Sequence, residues 1–377
     1  MAKSILFVFK NICKLIIIAI VLIYLSASLT AYINPTTIEI FTYLAIGFPY
    51  LFLAMIVCSL LSLFVFRKYW WITILLIFVG YKNILATTGF HFFDTFTQSK
   101  PPKTYRLLSW NVNEFVDSRA IADTPNNVRR KILSYIKISN ADVLCFQDFR
   151  DYTESGGYYS SIKYITDTLH YPYHYFSVDI LEKFGSVQNK YGCIIFSKYP
   201  ITETGRMPND YADTTENLVF ADIQFPNQSV RLYNTHLRSM LLTFDRKREK
   251  KEYTYIQDDT AILLNKGKLK SINYFDSVHI KQAEIVKQQL NNYHKPFIFC
   301  ADLNAVPSSF VYHHISNGLQ DAFLQKGFGW GPTYNGLSHT LRIDVTLLSP
   351  ELKTVQHYCP KLQASDHYPS LIDFTVL

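Results

Sequence analysis

From Leu15 to Ile33 the chain carries no charged side chain, and a second uncharged run, richer still in Leu, Phe, Ile and Val, extends from Ile40 to Phe66. A helix needs about 20 apolar residues to cross a bilayer, so both runs are long enough. A third begins at Tyr69 (YWWITILLIFVGY) and meets Lys82. It reaches spanning length through Asn83–Thr88 if Lys82 snorkels to the interface; otherwise it is a short interfacial helix. The sequence thus predicts an anchor of about three helices over residues 1–92.

Orientation follows from the placement of Lys and Arg. Lys3, Lys10 and Lys14 precede the first run, and Arg67 and Lys68 lie between the second and third. The loop Asn34–Glu39 carries neither. This pattern puts the chain's start and the second loop inside, and everything after about residue 90 outside the cytoplasm. Two alternatives move that side. The first run also fits a signal peptide, with small residues at Ser26–Ser28, and the alternative reading of the third as a short interfacial helix puts the domain on the other side.

Residues 93–103 read as a linker, polar from Thr97 and stiffened by Pro101-Pro102. The remainder, 104–377, is long enough for one large domain. Nearly half the chain is apolar and only 18% charged, which excludes a disordered protein. The net charge of +7 is concentrated at the front: residues 1–100 hold seven basic side chains and two acids, so only +2 remains for the rest. That balance argues against a polyanion-binding surface. Asp245–Glu252 (DRKREKKE) reads as a solvated helix face within the polar stretch Ser239–Ser277.

Within 104–377, short apolar runs alternate with helical patterns, the mark of an α/β domain. The expected strands are Arg106–Val112, Asp142–Phe146, Tyr191–Ser197, Asn217–Phe225, Val230–His236, Pro296–Asp302, Arg342–Leu348 and Pro369–Val376. Asn127–Ile138 and Asp276–Tyr293 carry helical spacing. Cys145, Cys193 and Cys300 sit inside strand runs as small core residues, and no Cys/His spacing suits zinc.

Polar clusters follow or end these strands: Asn111 and Asn113 in SWNVN, Asp148 after Phe146-Gln147, His236 in NTHL, Asp302 and Asn304 in ADLN, and Asp366-His367 after Ser365. Asp344 is an acid inside a strand pattern. One such residue is usually a cap or a turn. Together they offer the hard oxygen ligands that Mg²⁺ takes, and a His for proton transfer near neutral pH.

The ordered motifs SWNVN, ADVLCFQD, YNTHL, FCADLN, RIDV and SDH resemble the endonuclease/exonuclease/phosphatase family over nearly all of 104–377. The resemblance implies a four-layer α/β sandwich, two packed mixed sheets flanked by helices. It also implies a Mg²⁺-dependent hydrolase of phosphate esters, with Mn²⁺ as an alternative metal. On this reading Asn111, Asp148 and Asp366 serve the metal, Asp148 standing where the family usually has Glu. Asp302 orients or deprotonates the attacking water. Asn111, His236 and Asn304 hold the phosphate. His367, oriented by Asp344, acts as base or stabilises the phosphorane.

The expected partners are a phosphate-ester substrate (a lipid head group, nucleic acid or small phosphodiester) and the lipid bilayer, with no obligate protein partner. The expected setting is a bacterial-type cell membrane with the catalytic domain outside the cytoplasm. An extracytoplasmic nuclease and a catalytically inactive binding module are the alternatives. The loops Arg150–Ser160, Leu181–Lys190 and Ser239–Ser277 would set selectivity, and no code is legible in them.

Overall fold

The computed structural model describes residues 2–115, 125–153, 160–184, 187–208, 217–239, 244–247, 252–255, 266–335 and 340–377. Parts of Arg150–Ser160 and Ser239–Ser277 and the middle of the basic run Asp245–Glu252 lie outside the described residues. Leu181–Lys190, expected as a loop, belongs apart from two residues outside the described set to the paired strands Tyr173–Phe184 and Val187–Ser197. The described ends of the basic run lie in antiparallel strands, Phe244–Lys247 and Glu252–Tyr255, rather than on a helix.

Three helical stretches are long and apolar enough to cross a membrane: Phe7–Ala31, Ile40–Val65 and Trp70–Thr87. The first two belong to α1 (Ala2–Ser28) with its following turn, and to α2 (Ile40–Val65). The third is α3 (Trp70–Ile77), a 3-10 turn over Phe78–Gly80, and α4 (Tyr81–Thr87). That turn sits where α1 comes closest. Tyr24 Oη donates to Ile77 O at 2.6 Å, and a Cβ on Gly80 would collide with the Tyr24 hydroxyl. Lys82 lies 4.4 Å from the centroid of the Tyr32 ring, near the helix end where a snorkelling ammonium is expected.

The C-terminal part is a four-layer α/β sandwich. One sheet contains β1 (Tyr105–Asn111), β2 (Val143–Tyr152), β3 (Tyr173–Phe184) and β4 (Val187–Ser197). The other contains β5 (Ile201–Pro208), β6 (Asn217–Phe225), β7 (Gln228–His236), β8 (Phe297–Asp302), β9 (Gln320–Asp321) and β10 (Asp344–Leu348). The chain then returns to the first sheet with β11 (Leu352–Tyr358) and β12 (Ser370–Val376). The strand orders are β11-β12-β1-β2-β4-β3 and β9-β10-β8-β7-β6-β5.

The inner faces meet in one core. Leu107, Val143 and Ile195 from the first sheet pack against Val219, Leu232 and Ile298 from the second. The outer face of the first sheet is covered by α5 (Pro125–Ser139) through Val128, Ile132 and Ile136. That of the second is covered by α6 (Lys266–Asn292) through Ile280, Ala283 and Val286. Central strands buried on both faces read as apolar runs, as Phe297–Ala301 of β8 does in the sequence.

The N-terminal helices are docked onto this domain. Thr30 Oγ1 donates to Ser308 O at 2.6 Å, and Ser308 Oγ to Ala45 O at 2.7 Å. Arg342, buried and paired with Asp321 at 2.6 Å, also donates to Ala86 O at 2.5 Å. Residues 93–103 run along the domain: Gln356 Nε2 donates to Thr97 O at 3.0 Å, and Lys100 pairs with Asp142 at 2.7 Å.

His279 on α6 ties that helix to the segment after β7, its Nε2–H donating to Arg238 O at 2.6 Å. The ring is fully buried, and burial pushes its pKa down to about 4. The folded chain therefore favours neutral imidazole, while the unfolded chain takes up a proton near the ordinary pKa of about 6.5. Stability is full above that value and falls as pH drops toward the folded pKa, by about 2 kcal/mol for this residue at pH 4.5. Melting temperatures of wild type and His279→Gln between pH 7.5 and 4.5 check this. The variant keeps a donor for Arg238 O and should lose less stability than wild type; equal losses would refute it.

Candidate active site

Strand register assembles the cluster. β7 and β8 run parallel with His236 beside Asp302, and antiparallel β10 sets Asp344 opposite Asp302. In the other sheet, parallel β1 and β2 set Asn111 beside Gln147. The two sheets are joined at this end by buried amides: Gln147 Nε2 donates to Asn234 Oδ1 at 2.6 Å, and Asn234 Nδ2 to Phe146 O at 2.9 Å. Each amide would cost free energy if left unpaired, so the pairing fixes the relative position of the sheets.

β2 does not end at Phe146, where the sequence reading stopped it. It continues to Tyr152 through a bulge between Phe146 and Phe149. Asp148 occupies the bulge with φ 47°. A bulge re-aims a side chain, and here the carboxylate reaches the second sheet. Asp148 Oδ1 lies 3.1 Å from His236 Nδ1, and Oδ2 accepts from Asn111 Nδ2 at 3.2 Å.

Asn111 Nδ2 also donates to Asp302 Oδ2 at 2.9 Å. Asn304, held at φ 47°, donates its backbone N–H to Asp302 Oδ1 at 2.9 Å and its Nδ2 to Leu237 O. The same Nδ2 stands 3.0 Å from His236 Nε2. With His236 Nδ1–H donating to Asp148, Nε2 accepts from Asn304. Asp344 receives His367 Nδ1–H at 2.9 Å, and His367 Nε2 points toward Asp302 Oδ2 at 3.6 Å. The His367 segment is held by Trp110 Nε1, which donates to His367 O at 2.9 Å, and by Ser365 Oγ, which donates to Asn111 O at 2.9 Å. Asp366 lines the same cavity, its Oδ1 accepting from Ser365 Oγ at 3.3 Å. All eight candidate residues therefore gather at one mouth.

The charges are strongly coupled. Burial, with the Asp344 carboxylate beside it, pushes Asp302 up to about 6 against the pull of His367 and His236. Burial alone would lower the His367 imidazole, but Asp344 and Asp302 outweigh it and hold it up to about 10. Burial would likewise raise Asp148, yet His236 and Asn111 keep it below the usual carboxylate range.

Among the described residues lining this cavity there is no Lys or Arg. Instead Asp148, Asp302 and Asp366 lie on the catalytic side, and Glu114, Asp179 and Glu182 stand farther along. Such a surface repels an anion unless a cation is bound, and its donors are carboxylate and amide oxygens, as Mg²⁺ or Mn²⁺ prefers. The donor set therefore fits a divalent metal. Two places offer ligands: Asn111, Asp148 and Asp302, and the trio Asp302, Asp344 and His367, whose donor atoms lie within 4.8 Å of one another. In the trio both His367 nitrogens face carboxylates, which suits a proton relay better than metal ligation. In the other set Asn111 turns its Nδ2 toward both carboxylates, and its Oδ1 accepts from the Asn113 N–H at 2.9 Å.

Of the rest of the cavity the sequence reading named only the selectivity segments carrying Glu182, Ser239 and Asp276. Phe41, Thr42, Ala45 and Ile46 of α2 line it, as do Asp179 and Glu182 of β3. Their placement depends on long-range docking, and no local signal marks it.

A family model described as the Endonuclease/Exonuclease/phosphatase family matches residues 108–367. A second, a domain of unknown function, matches residues 10–87. Comparison with curated proteins finds no match. Among solved structures, an endonuclease/exonuclease/phosphatase from Beutenbergia cavernae is 18% identical, with TM-score 0.52 over 73% of this chain and 72% of that one. The human Nocturnin catalytic domain is 15% identical, with TM-score 0.50 over 74% of this chain and 97% of that one. At these identities the likeness is one of fold, and that fold is the one used by phosphoesterases and nucleases. The match over most of its length places this chain in the endonuclease/exonuclease/phosphatase family.

Proposed function

We propose that this protein is a membrane-anchored, divalent-metal-dependent phosphoesterase that hydrolyses a phosphate ester by in-line attack of water. Residues 1–92 are the anchor, 93–103 the connection, and 104–377 the catalytic domain, which faces away from the cytoplasm. One observation carries the reading: Asn111, Asp148, His236, Asp302, Asn304, Asp344 and His367, from six separate chain segments, converge within hydrogen-bond reach at the mouth of a cavity.

Asp302, drawn between two imidazoles and supported by the Asn304 N–H, is the group that orients the attacking water and accepts its proton. Its raised pKa suits a base working near neutrality. His367, held as imidazolium by Asp344, is a donor to a phosphate oxygen rather than a base. His236 and Asn304 present the second side of the phosphate site. Asn111 and Asp148 would hold the metal, with Asp366 beside them, and the metal supplies neutralisation of charge on the phosphate and the leaving oxygen. The outward orientation is supported by the Lys and Arg distribution. It is also supported by the docking of Thr30, Ala45 and Ala86, at the three helix ends opposite Arg67 and Lys68, onto the domain.

The test uses the full chain in nanodiscs with a chromogenic phosphodiester such as bis-p-nitrophenyl phosphate. Chelation should abolish turnover, Mg²⁺ or Mn²⁺ should restore it, and Zn²⁺ should substitute poorly. Full activity in excess chelator would overturn the reading.

A further inference from the structure

We propose that the substrate is an amphiphilic phosphate ester taken from the membrane surface. Its phosphate lies at Asp302 and His367, and its apolar chain lies on a wall built jointly by anchor and domain. This rests on the phosphoesterase reading above.

The catalytic cluster does not open onto a polar cleft. It opens into a cavity of about 670 Å³ that extends from Asp302 and His367 to the first turns of α2. The far wall is composite and partly apolar, its apolar patch lying beside the buried hydrogen bond from Thr42 of α2 to Asp276 of α6. Ala45 of the anchor packs with Val306, Leu341 and Ile343 of the domain in one buried cluster, with Ile46 and Tyr334 against it. Tyr334 connects this wall to the chemistry, its ring centroid 4.9 Å from that of His367. A molecule with its phosphate beside His367 would have its next atoms on Tyr334 and then on the Ala45 cluster.

The wall is a fixed part of the fold. The Thr30–Ser308 and Ser308–Ala45 hydrogen bonds hold the ends of α1 and α2 to the segment carrying Val306, and buried Arg342 holds the end of α4 beside Leu341 and Ile343. A mostly apolar pocket with a few convergent polar groups is the usual design for a ligand that is itself mostly apolar. The position selects the source. Phe41, Ala45 and Ile46 are the first residues of a span, so an occupant on them lies where the bilayer interface meets the domain. A nucleic acid fits poorly. It would bring many phosphates into a cavity whose described lining has no Lys or Arg and where Asp179 and Glu182 add negative charge.

The experiment measures kcat/KM of the full chain in nanodiscs with Mg²⁺ on p-nitrophenyl alkyl phosphates whose alkyl group grows from methyl to octyl. Water attacks phosphorus and p-nitrophenolate leaves in every case, so only the chain varies. Burial of methylenes on the wall should raise kcat/KM at least about tenfold from methyl to octyl. Phe41→Ser and Ile46→Asn should each cut that ratio by more than half. Phe64→Ser, exposed at the opposite end of α2, should leave it intact. A flat series with good turnover of the methyl ester would overturn this inference and leave the phosphoesterase reading standing. So would a ratio that survives both wall substitutions, since it would then report partitioning into the bilayer. If a wall variant loses the methyl reaction too, the wild-type series decides alone. If no ester is hydrolysed with any divalent metal, both readings fall.

Discussion

Asp302→Asn should lower kcat by about a thousandfold, within the range expected for loss of a general base. Asp302 is the carboxylate to which the other groups are fitted. Asn111 Nδ2 and the Asn304 N–H donate to its two oxygens, both at 2.9 Å, and both imidazoles face Oδ2. Asparagine keeps the shape and removes the charge. It also turns one acceptor into a donor opposite Asn111, which costs about 1–3 kcal/mol of stability if unrelieved. Activity and melting temperature must therefore be read together. A large kcat loss with a modest melting shift is the expected outcome, under single-turnover conditions so that product release does not mask chemistry. Turnover within tenfold of wild type would show that the proton goes elsewhere, with His367 the next candidate.

The parts of this arrangement that the sequence revealed are those with local causes. The strands ending at Asn111 and Asp302 are buried on both faces and stand out as runs rich in apolar residues. The strands that went unnoticed lie at sheet edges or carry one wet face. Ile201–Pro208 is mostly exposed, and Leu352–Tyr358 alternates buried with open positions. Tyr173–Phe184 borders its sheet on β4 alone. Register is a long-range property, so nothing near Asp302 in the chain announced His236 on one side and Asp344 on the other. The composite wall was equally hidden, because it depends on single polar contacts between residues more than 250 positions apart, such as Thr30 with Ser308. The apolar runs at the N-terminus announced helices long enough to span. They did not announce that one of those helices would border the catalytic cavity.

Asp148→Asn should raise the Mg²⁺ concentration needed for half-maximal rate by at least about tenfold and lower turnover at every subsaturating concentration. The bulge makes this substitution informative. At φ 47°, Asn is tolerated as well as Asp, so the backbone of β2 has no reason to move. The Asn side-chain oxygen can still accept from His236 Nδ1–H, so the imidazole keeps its tautomer. What changes is the negative charge beside Asn111, which a metal ligand needs and a turn or bulge residue does not. Asp148 is one methylene shorter than the Glu usual at this position in the family, and the bulge supplies the missing reach by pushing the residue out of the pleat toward the second sheet. Asp148→Glu should therefore keep activity, and Asp148→Ala should remove essentially all of it. Glu114, another acid lining the cavity on this sheet, is already paired with Arg150. The decisive measurement is an Asp148→Asn titration with Mg²⁺. Rates matching wild type at every concentration would remove Asp148 from the metal site and leave it as the residue that lets β2 bend.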